Sequence, residues 1–175
     1  MTASLIVSIL LVVLYVGATI WKRRGLPESI SAMVFDLPKG WQWVWGVWLW
    51  AVAFLTSIPA IEVLDKKGFG GIAFCMLVAL VFTGAIPLYD KNAQRAHYIF
   101  AISAGIISQI CVLIVNPWWL LLWLLIIIIP FVDRMWWHPS VPVWLWKKGT
   151  FVAEGICYIT LTGALLHAIN HLMIN

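Results

Sequence analysis

The chain has 175 residues, of which 63% are hydrophobic and 10% are charged, and its formal net charge is +4. This composition lies outside the range of soluble globular proteins, and several apolar spans leave little material for an extramembrane domain. Because the basic residues stand beside the ends of apolar stretches, they indicate contact with lipid head groups, and no nucleic-acid partner is predicted.

Six apolar stretches follow one another along the chain, and each is long enough to cross a membrane as a helix. Their approximate limits are 3–21, 41–64, 70–88, 96–115, 117–133 and 150–173. No basic side chain precedes the first stretch and Lys22 follows it, so we expect a retained helix rather than a cleaved signal peptide. The expected fold class is all-α: a single polytopic membrane domain over residues 1–175, built as a six-transmembrane-helix bundle.

The basic residues are sorted between the two sides of this bundle. Nine of the 11 lie in the breaks after the first, third and fifth stretches, and only Lys66 and Lys67 lie on the other side. Because positive loop residues stay in the cytoplasm during insertion, both termini are expected outside. We expect the protein to be integral to a cell membrane, specifically a bacterial inner membrane.

Local patterns between and within the stretches carry further expectations. Two prolines bracket an amphipathic segment from Glu28 to Leu37. This segment either lies on the cytoplasmic membrane surface or forms an ordinary connecting loop. Thr150 is a candidate N-cap for the sixth helix. The small residues Ala104 and Ser108, four apart, predict a close approach of the fourth helix to a neighbour.

The second stretch opens with a series of tryptophans, which are Trp41, Trp43, Trp45, Trp48 and Trp50. Tryptophan favours the membrane interface, where its ring is apolar and its N–H stays wet. The series therefore predicts an aromatic belt at the cytoplasmic end. A stack of rings around a pigment or a heme is the alternative.

One group of ionisable residues is expected at the outer end. His167 and His171 are four apart, so both imidazoles share one helix face, and Glu62 and Asp65 end the second stretch. Two histidines and one or two carboxylates are a ligand set that suits Zn²⁺. The pattern is a hypothesis for a zinc site; the alternative is that these residues mark a wet membrane boundary.

A second group is expected at the inner end: Asp90, Arg95, His97, Asp133, Arg134 and Glu154. Charged residues in a span are costly and normally face the bundle interior. Glu154 is predicted near the start of the sixth helix, where its charge would complement the helix N-terminus. An ion pair with Arg95, Arg134 or His97 is the expected structural role, and His97 itself is expected to be a polar helix-end residue.

Several chemistries are disfavoured by the pattern. His97 is predicted at the opposite end from His167 and His171, so it cannot share a heme with either of them, and two histidines of one helix cannot bind opposite faces of one heme. A pigment held by a single histidine stays open. The three cysteines are far apart and read as buried thiols. Nucleotide-binding and serine-hydrolase motifs are absent. Charged residues are lacking at mid-span, which argues against an ion-coupled transporter.

The run from Gly84 to Asp90, followed by His97, resembles the Frag1/DRAM-like and DUF998-type six-helix membrane proteins. Ser29-Ile30-Ser31 and Glu154-Gly155 are similar to further features of that group. The wider grouping is linked with metal-dependent membrane hydrolases such as alkaline ceramidases, whose last helix carries a His-x-x-x-His that His167 and His171 match. Those hydrolases also need a Ser-x-x-x-His on an early helix, and this chain has no histidine before His97.

The function expected from these patterns is non-enzymatic. A small polytopic protein would act through contacts with membrane lipids or with a membrane-protein partner, either as a subunit of a larger complex or as a homo-oligomer. The first alternative is a metal-dependent lipid hydrolase at the outer leaflet, with zinc as its cofactor. The second is a pigment- or cofactor-carrying subunit, which the 13 tryptophans motivate.

Overall fold

The computed structural model describes residues 1–86, 92–126, 128–129 and 141–174, with side chains of the last helix described from 148 to 171. Within these ranges the chain is helical and has no strand. The α-helices are α1 (Thr2–Arg23), α2 (Trp43–Asp65), α3 (Gly70–Ala85), α4 (Gln94–Val115) and α5 (Val141–Ile174). Two 3₁₀ segments, Ser31–Asp36 and Pro117–Leu124, precede α2 and follow α4.

Four helical stretches are long and apolar enough to cross a membrane: Thr2–Arg23, Trp43–Asp65, Gln94–Val115 and Lys148–His171. Helix α3 has 16 residues and is about 24 Å long at 1.5 Å per residue, somewhat less than the hydrocarbon core. The predicted all-helical class is confirmed, and four of the described helical stretches suit a membrane by their length and apolarity. The count of six crossings stays a prediction.

Turn chemistry sets several helix ends. Helix α1 stops where Arg24 takes a left-handed conformation (φ 52°), and Gly25 N–H bonds back to the Ile20 carbonyl. Between α2 and α3, Gly68 has φ 79°, which glycine adopts without steric cost.

The second half of the chain departs from the expected boundaries. Helix α5 begins at Val141 rather than near 150, so Thr150 lies inside it and the predicted N-cap is wrong. Pro142 does not prevent this start. The N–H groups of the first helical turn have no intrahelical acceptor, so the N–H that proline lacks costs no hydrogen bond there. Residues 117–124 form a 3₁₀ segment instead of an α-helix, with Asn116 Oδ1 accepting from Trp118 N–H at 3.2 Å. Residues 130–133 of the expected fifth helix lie outside the described ranges.

The main apolar core joins all five helices at one end of the bundle. Leu5, Leu64, Met76, Leu165 and Ile169 are at most 1% exposed and belong to one packed cluster. Leu5 is near the N-terminus and Ile169 near the C-terminus, so both ends of the described chain lie at this end of the bundle. We call it the Lys67 end, because Lys67 Nζ donates there to the last carbonyls of α4, Ile114 O (2.9 Å) and Val115 O (3.4 Å).

The other end of the bundle, which we call the basic end, holds Lys22, Arg23 and Lys148. Arg23 Nε lies 2.6 Å from Asp36 Oδ1, and Lys22 Nζ donates to the Asp36 carbonyl. Met33 and Val34 of the 3₁₀ segment are at most 2% exposed. The segment from Glu28 to Leu37 therefore packs into the end of the bundle. It is neither a surface helix nor an ordinary loop.

Helices α2 and α3 approach each other most closely at two glycines. A Cβ on Gly46 would lie 2.7 Å from the Gly84 carbonyl oxygen, and a Cβ on Gly84 would lie 2.7 Å from the Trp50 ring. Glycine is required at this crossing because any side chain would push the backbones apart.

Candidate functional site

A partly open cavity of about 1110 Å³ lies between the helices and is lined by residues from all five helices and both 3₁₀ segments. It extends from Glu28–Ser31 at the basic end to Met76 and Leu161, the second of which belongs to the apolar core. Its wall is mainly apolar, with a small number of polar groups. Ligand cavities in proteins commonly have volumes of roughly 300–1,000 Å³ and this type of lining.

Glu154 lies on the cavity wall near the basic end and is partly buried. Its Oε2 accepts a hydrogen bond from Ile30 N–H at 2.5 Å. Two further bonds join the same parts of the chain: Phe151 N–H donates to the Glu28 carbonyl, and Lys148 Nζ donates to the Leu26 carbonyl. Helix α5 is thereby tied to the segment that follows α1.

This environment differs from the one expected for Glu154. Because α5 begins at Val141, Glu154 lies more than three turns inside the helix, too far from the N-terminus to complement its dipole. In the described ranges, the one ion pair is Arg23–Asp36, and neither Arg95 nor His97 bonds to Glu154. Arg134, the other expected partner, lies outside those ranges, as do Asp90 and Asp133.

His97 lies in the first turn of α4, at the helix start where it was expected, but it is fully buried and joins three parts of the chain. Its Nδ1 lies 2.9 Å from the Ile86 carbonyl oxygen and its Nε2 lies 3.1 Å from Ser31 Oγ. A carbonyl can only accept, so Nδ1 carries the proton; in the neutral ring, Nε2 then accepts from the Ser31 hydroxyl. His97 holds the 3₁₀ segment at the end of α3 and the start of α4, and Ser31 faces the cavity.

A hydroxyl cluster crosses the bundle further along the cavity. Ser8 Oγ lies 2.9 Å from Thr56 Oγ1 and 2.7 Å from the Tyr158 hydroxyl, which links α1, α2 and α5. Thr56 and Tyr158 line the cavity. This cluster was not predicted; its only sequence signal was the presence of single hydroxyl residues within apolar spans.

A second polar cluster surrounds Gln109 on α4. Gln109 Oε1 accepts from Trp123 Nε1 at 2.8 Å and from Thr160 Oγ1 at 3.1 Å, and its Nε2 donates to Ser108 Oγ at 3.0 Å. Hydrogen bonds of this kind hold helices together in lipid. The cluster joins α4, α5 and the second 3₁₀ segment. The cluster had a sequence signal, which is a polar amide inside an otherwise apolar helix. It was not predicted from that signal.

The tryptophans that open α2 have three different environments. Trp41 and Trp43 are exposed, as a membrane belt requires. Trp45 is only 3% exposed and its ring centroid lies 5.8 Å from that of His97. Trp48 Nε1 donates to the Leu11 carbonyl and Trp50 Nε1 to the Val81 carbonyl. The aromatic belt stays a prediction for the exposed Trp41 and Trp43. Trp48 and Trp50 bond to neighbouring helices, and Trp45 packs into the bundle.

The expected outer residues are not gathered into one site. The rings of His167 and His171 are 4.5 Å apart, but both residues are exposed, as are Glu62 and Asp65. Helices α2 and α5 meet through apolar residues of the core, including Leu64 and Leu165. Across the ranges that the structure covers, no three His, Cys, Asp or Glu side chains come close enough to hold a metal ion. The zinc site stays a prediction.

The expected small-residue contact involves Ala104 and Ser108, which are 4% and 6% exposed. On the same helix, the Cβ that Gly105 lacks would lie 3.8 Å from Cys157 Sγ of α5. Gly105 thus lies in ordinary contact with α5, while Ala104 and Ser108 line the cavity. The close approach at Ala104 and Ser108 stays a prediction. All three cysteines are free thiols, but only Cys111 is buried as expected; Cys157 is partly buried and Cys75 is exposed.

No family model matches the chain, and no curated protein or solved structure is significantly similar to it. The resemblance to Frag1/DRAM-like and DUF998-type proteins therefore stays a prediction. The residues that carry it are nevertheless close in space, because Ile30 bonds to Glu154 and Ser31 bonds to His97. What the chain presents as a site is an apolar cavity with a carboxylate and a hydroxyl at one end. The buried imidazole of His97 bonds to that hydroxyl from outside the cavity wall.

Proposed function

We propose that this chain is a non-enzymatic polytopic membrane protein that holds one amphipathic, lipid-like molecule inside its helix bundle. The single observation that carries the proposal is the cavity of about 1110 Å³, which starts among polar groups at the basic end and continues between apolar side chains. A polar head would lie beside Glu154 and Ser31, and an apolar tail would lie along Met76, Leu80 and Leu161.

The energetics of such binding differ from those of a soluble pocket. Lipid tails are as apolar as leucine, so moving a hydrocarbon chain from the bilayer into the cavity brings little hydrophobic free energy. The tail must instead be held by close packing, and the head by hydrogen bonds and charge. The polar groups at the basic end therefore provide most of the selectivity.

Lipid analysis of the purified protein tests this proposal. After extensive exchange into a nonionic detergent, mass spectrometry of an organic extract should find about one amphiphile per chain. Ala101 lines the cavity, so Ala101→Trp should expel this molecule by filling the space, whereas Ala3→Trp at an exposed position should retain it. A protein without bound amphiphile, or with equal amounts in both variants, contradicts the proposal.

The topology that accompanies this function has six crossings, with both termini outside a bacterial inner membrane. It is supported by the charge distribution and by the shared core of Leu5 and Ile169 at the Lys67 end. The exposed apolar side chains of α1, such as Leu10 and Leu14, then contact lipid, a partner protein or a second copy. A reporter enzyme fused after Asn175 should show its activity on the outer side of the membrane. Activity in the cytoplasm would overturn this topology.

A further inference from the structure

The charged side chains on the cavity wall are both carboxylic. They are Glu28, which is exposed at the rim, and Glu154, which is partly buried. In the part of the chain that the structure describes, no Lys, Arg or His lines the cavity. Among the described basic residues of this end, Lys148 donates to the Leu26 carbonyl and Arg23 pairs with Asp36.

Glu154 is oriented to receive a further partner. Ile30 N–H holds one carboxylate oxygen, Oε2. The other, Oε1, bonds to no residue in the described ranges, and it is not among the fully enclosed polar atoms. A carboxylate in an apolar wall is costly without a compensating donor or charge. An occupant with a positive head would supply both.

Aromatic rings line the same cavity. Trp45, Trp48, Trp123, Tyr98 and Tyr158 all contribute to its wall. The faces of such rings attract cations, and aromatic walls are a recurrent means of binding quaternary ammonium groups. The rings of Tyr15 and Trp48 pack against each other at 4.6 Å, which helps to hold the Trp48 indole in place.

We infer that the cavity selects an amphiphile with a cationic head, an amine or a quaternary ammonium group, which lies between Glu28, Glu154 and the aromatic rings. This inference rests on the proposed function, because it names the chemistry of the molecule that the cavity holds. The apolar tail contributes little discrimination within a membrane. The head group therefore decides which amphiphile is retained.

Quenching of tryptophan fluorescence by brominated amphiphiles tests the inference. Three probes share a terminally brominated dodecyl tail and differ in the head, which is trimethylammonium, hydroxyl or carboxylate. They are titrated against the full chain in a nonionic detergent. We expect saturable quenching by the trimethylammonium probe at about tenfold lower concentration than by the alcohol, equivalent to about 1.4 kcal/mol. The carboxylate probe should be weakest.

Matched variants locate the effect. Glu154→Gln should remove most of the preference for the cationic head over the alcohol. Glu62→Gln makes the same chemical change on an exposed residue outside the cavity and should have no effect. Since the comparison of heads uses the unmodified protein, it decides the matter even if Glu154→Gln does not fold.

The outcomes separate the two proposals. Equal saturable quenching by all three heads, or a preference for the carboxylate, would overturn the cationic head while leaving the amphiphile cavity standing. A cationic preference that persists unchanged in Glu154→Gln would also overturn the assignment to this carboxylate. Failure of every probe to quench saturably would refute the proposed function itself.

Discussion

Replacing Gln109 by leucine removes the acceptor that Trp123 and Thr160 share. Thr160 Oγ1 keeps its bonds to the carbonyls of Ile156 (2.8 Å) and Cys157 (3.0 Å). Trp123 Nε1 has its only described bond to Gln109, at 2.8 Å. The loss therefore falls mainly on one indole N–H, which remains in an apolar surrounding.

Two magnitudes bracket the cost. Hydrogen bonds between helices in membranes contribute about 0.6 kcal/mol on average and at most about 1.7 kcal/mol. Leaving a buried donor without a partner costs about 1–3 kcal/mol. Leucine keeps approximately the volume of glutamine, so a cavity term adds little. We expect Gln109→Leu to lower the free energy of unfolding by about 1–2 kcal/mol.

A double-mutant cycle isolates this interaction from the loss of ring volume in Trp123→Phe. In the phenylalanine background no indole N–H is left without a partner, so Gln109→Leu should cost about 1 kcal/mol less than in the wild type. Unfolding by dodecyl sulfate in mixed micelles, followed by far-ultraviolet circular dichroism, measures all four proteins. Gln94→Leu is the control, because the one bond described for Gln94 is to Tyr98, at an exposed position. Strict additivity of the two substitutions would refute the reasoning.

The remaining predictions use the same unfolding assay. Gly46→Ala should lower the free energy of unfolding by about 1–3 kcal/mol through overpacking against α3. Gly17→Ala, with no atom within 4 Å of the added Cβ, should not destabilise the protein. Equal effects of the two substitutions would disprove the close crossing. Lys67→Met should cost about 0.3–1 kcal/mol by uncapping α4, and exposed Lys66→Met should cost less; the reverse order would contradict the capping role. His97→Leu should cost about 1–3 kcal/mol and speed amide exchange over residues 31–36; unchanged exchange would show that His97 does not hold the segment.

Local sequence patterns were sufficient for three of the helices. The apolar stretches 3–21, 41–64 and 96–115 correspond to Thr2–Arg23, Trp43–Asp65 and Gln94–Val115. Hydropathy and segment length act through the solvent, and they require no knowledge of neighbouring elements. The Asn116-Pro117 turn was likewise predictable, since an Asx side chain bonds to its own backbone two residues on.

Residues that depend on distant partners were not predictable in this way. Ser8 meets Thr56 and Tyr158, which are 48 and 150 positions away in the chain. Nothing near Ser8 in sequence indicates this contact. His97 was expected to be a polar end residue, but the packing of the 3₁₀ segment against α3 and α4 buried it. The prediction of where α5 begins was wrong for a related reason. Pro142 and Thr150 are each compatible with more than one helix position.

The amino-acid sequence by itself determined the helical class, the spans that suit a membrane and the supply of polar groups within them, because these follow from hydropathy and backbone hydrogen bonding. Only the tertiary structure decided that Glu154 and Ser31 share a cavity, and that His167 and Glu62 remain exposed without a common site. The physical reason is that each helix has several faces of similar apolarity, so that packing against its neighbours selects which face becomes the wall of a cavity.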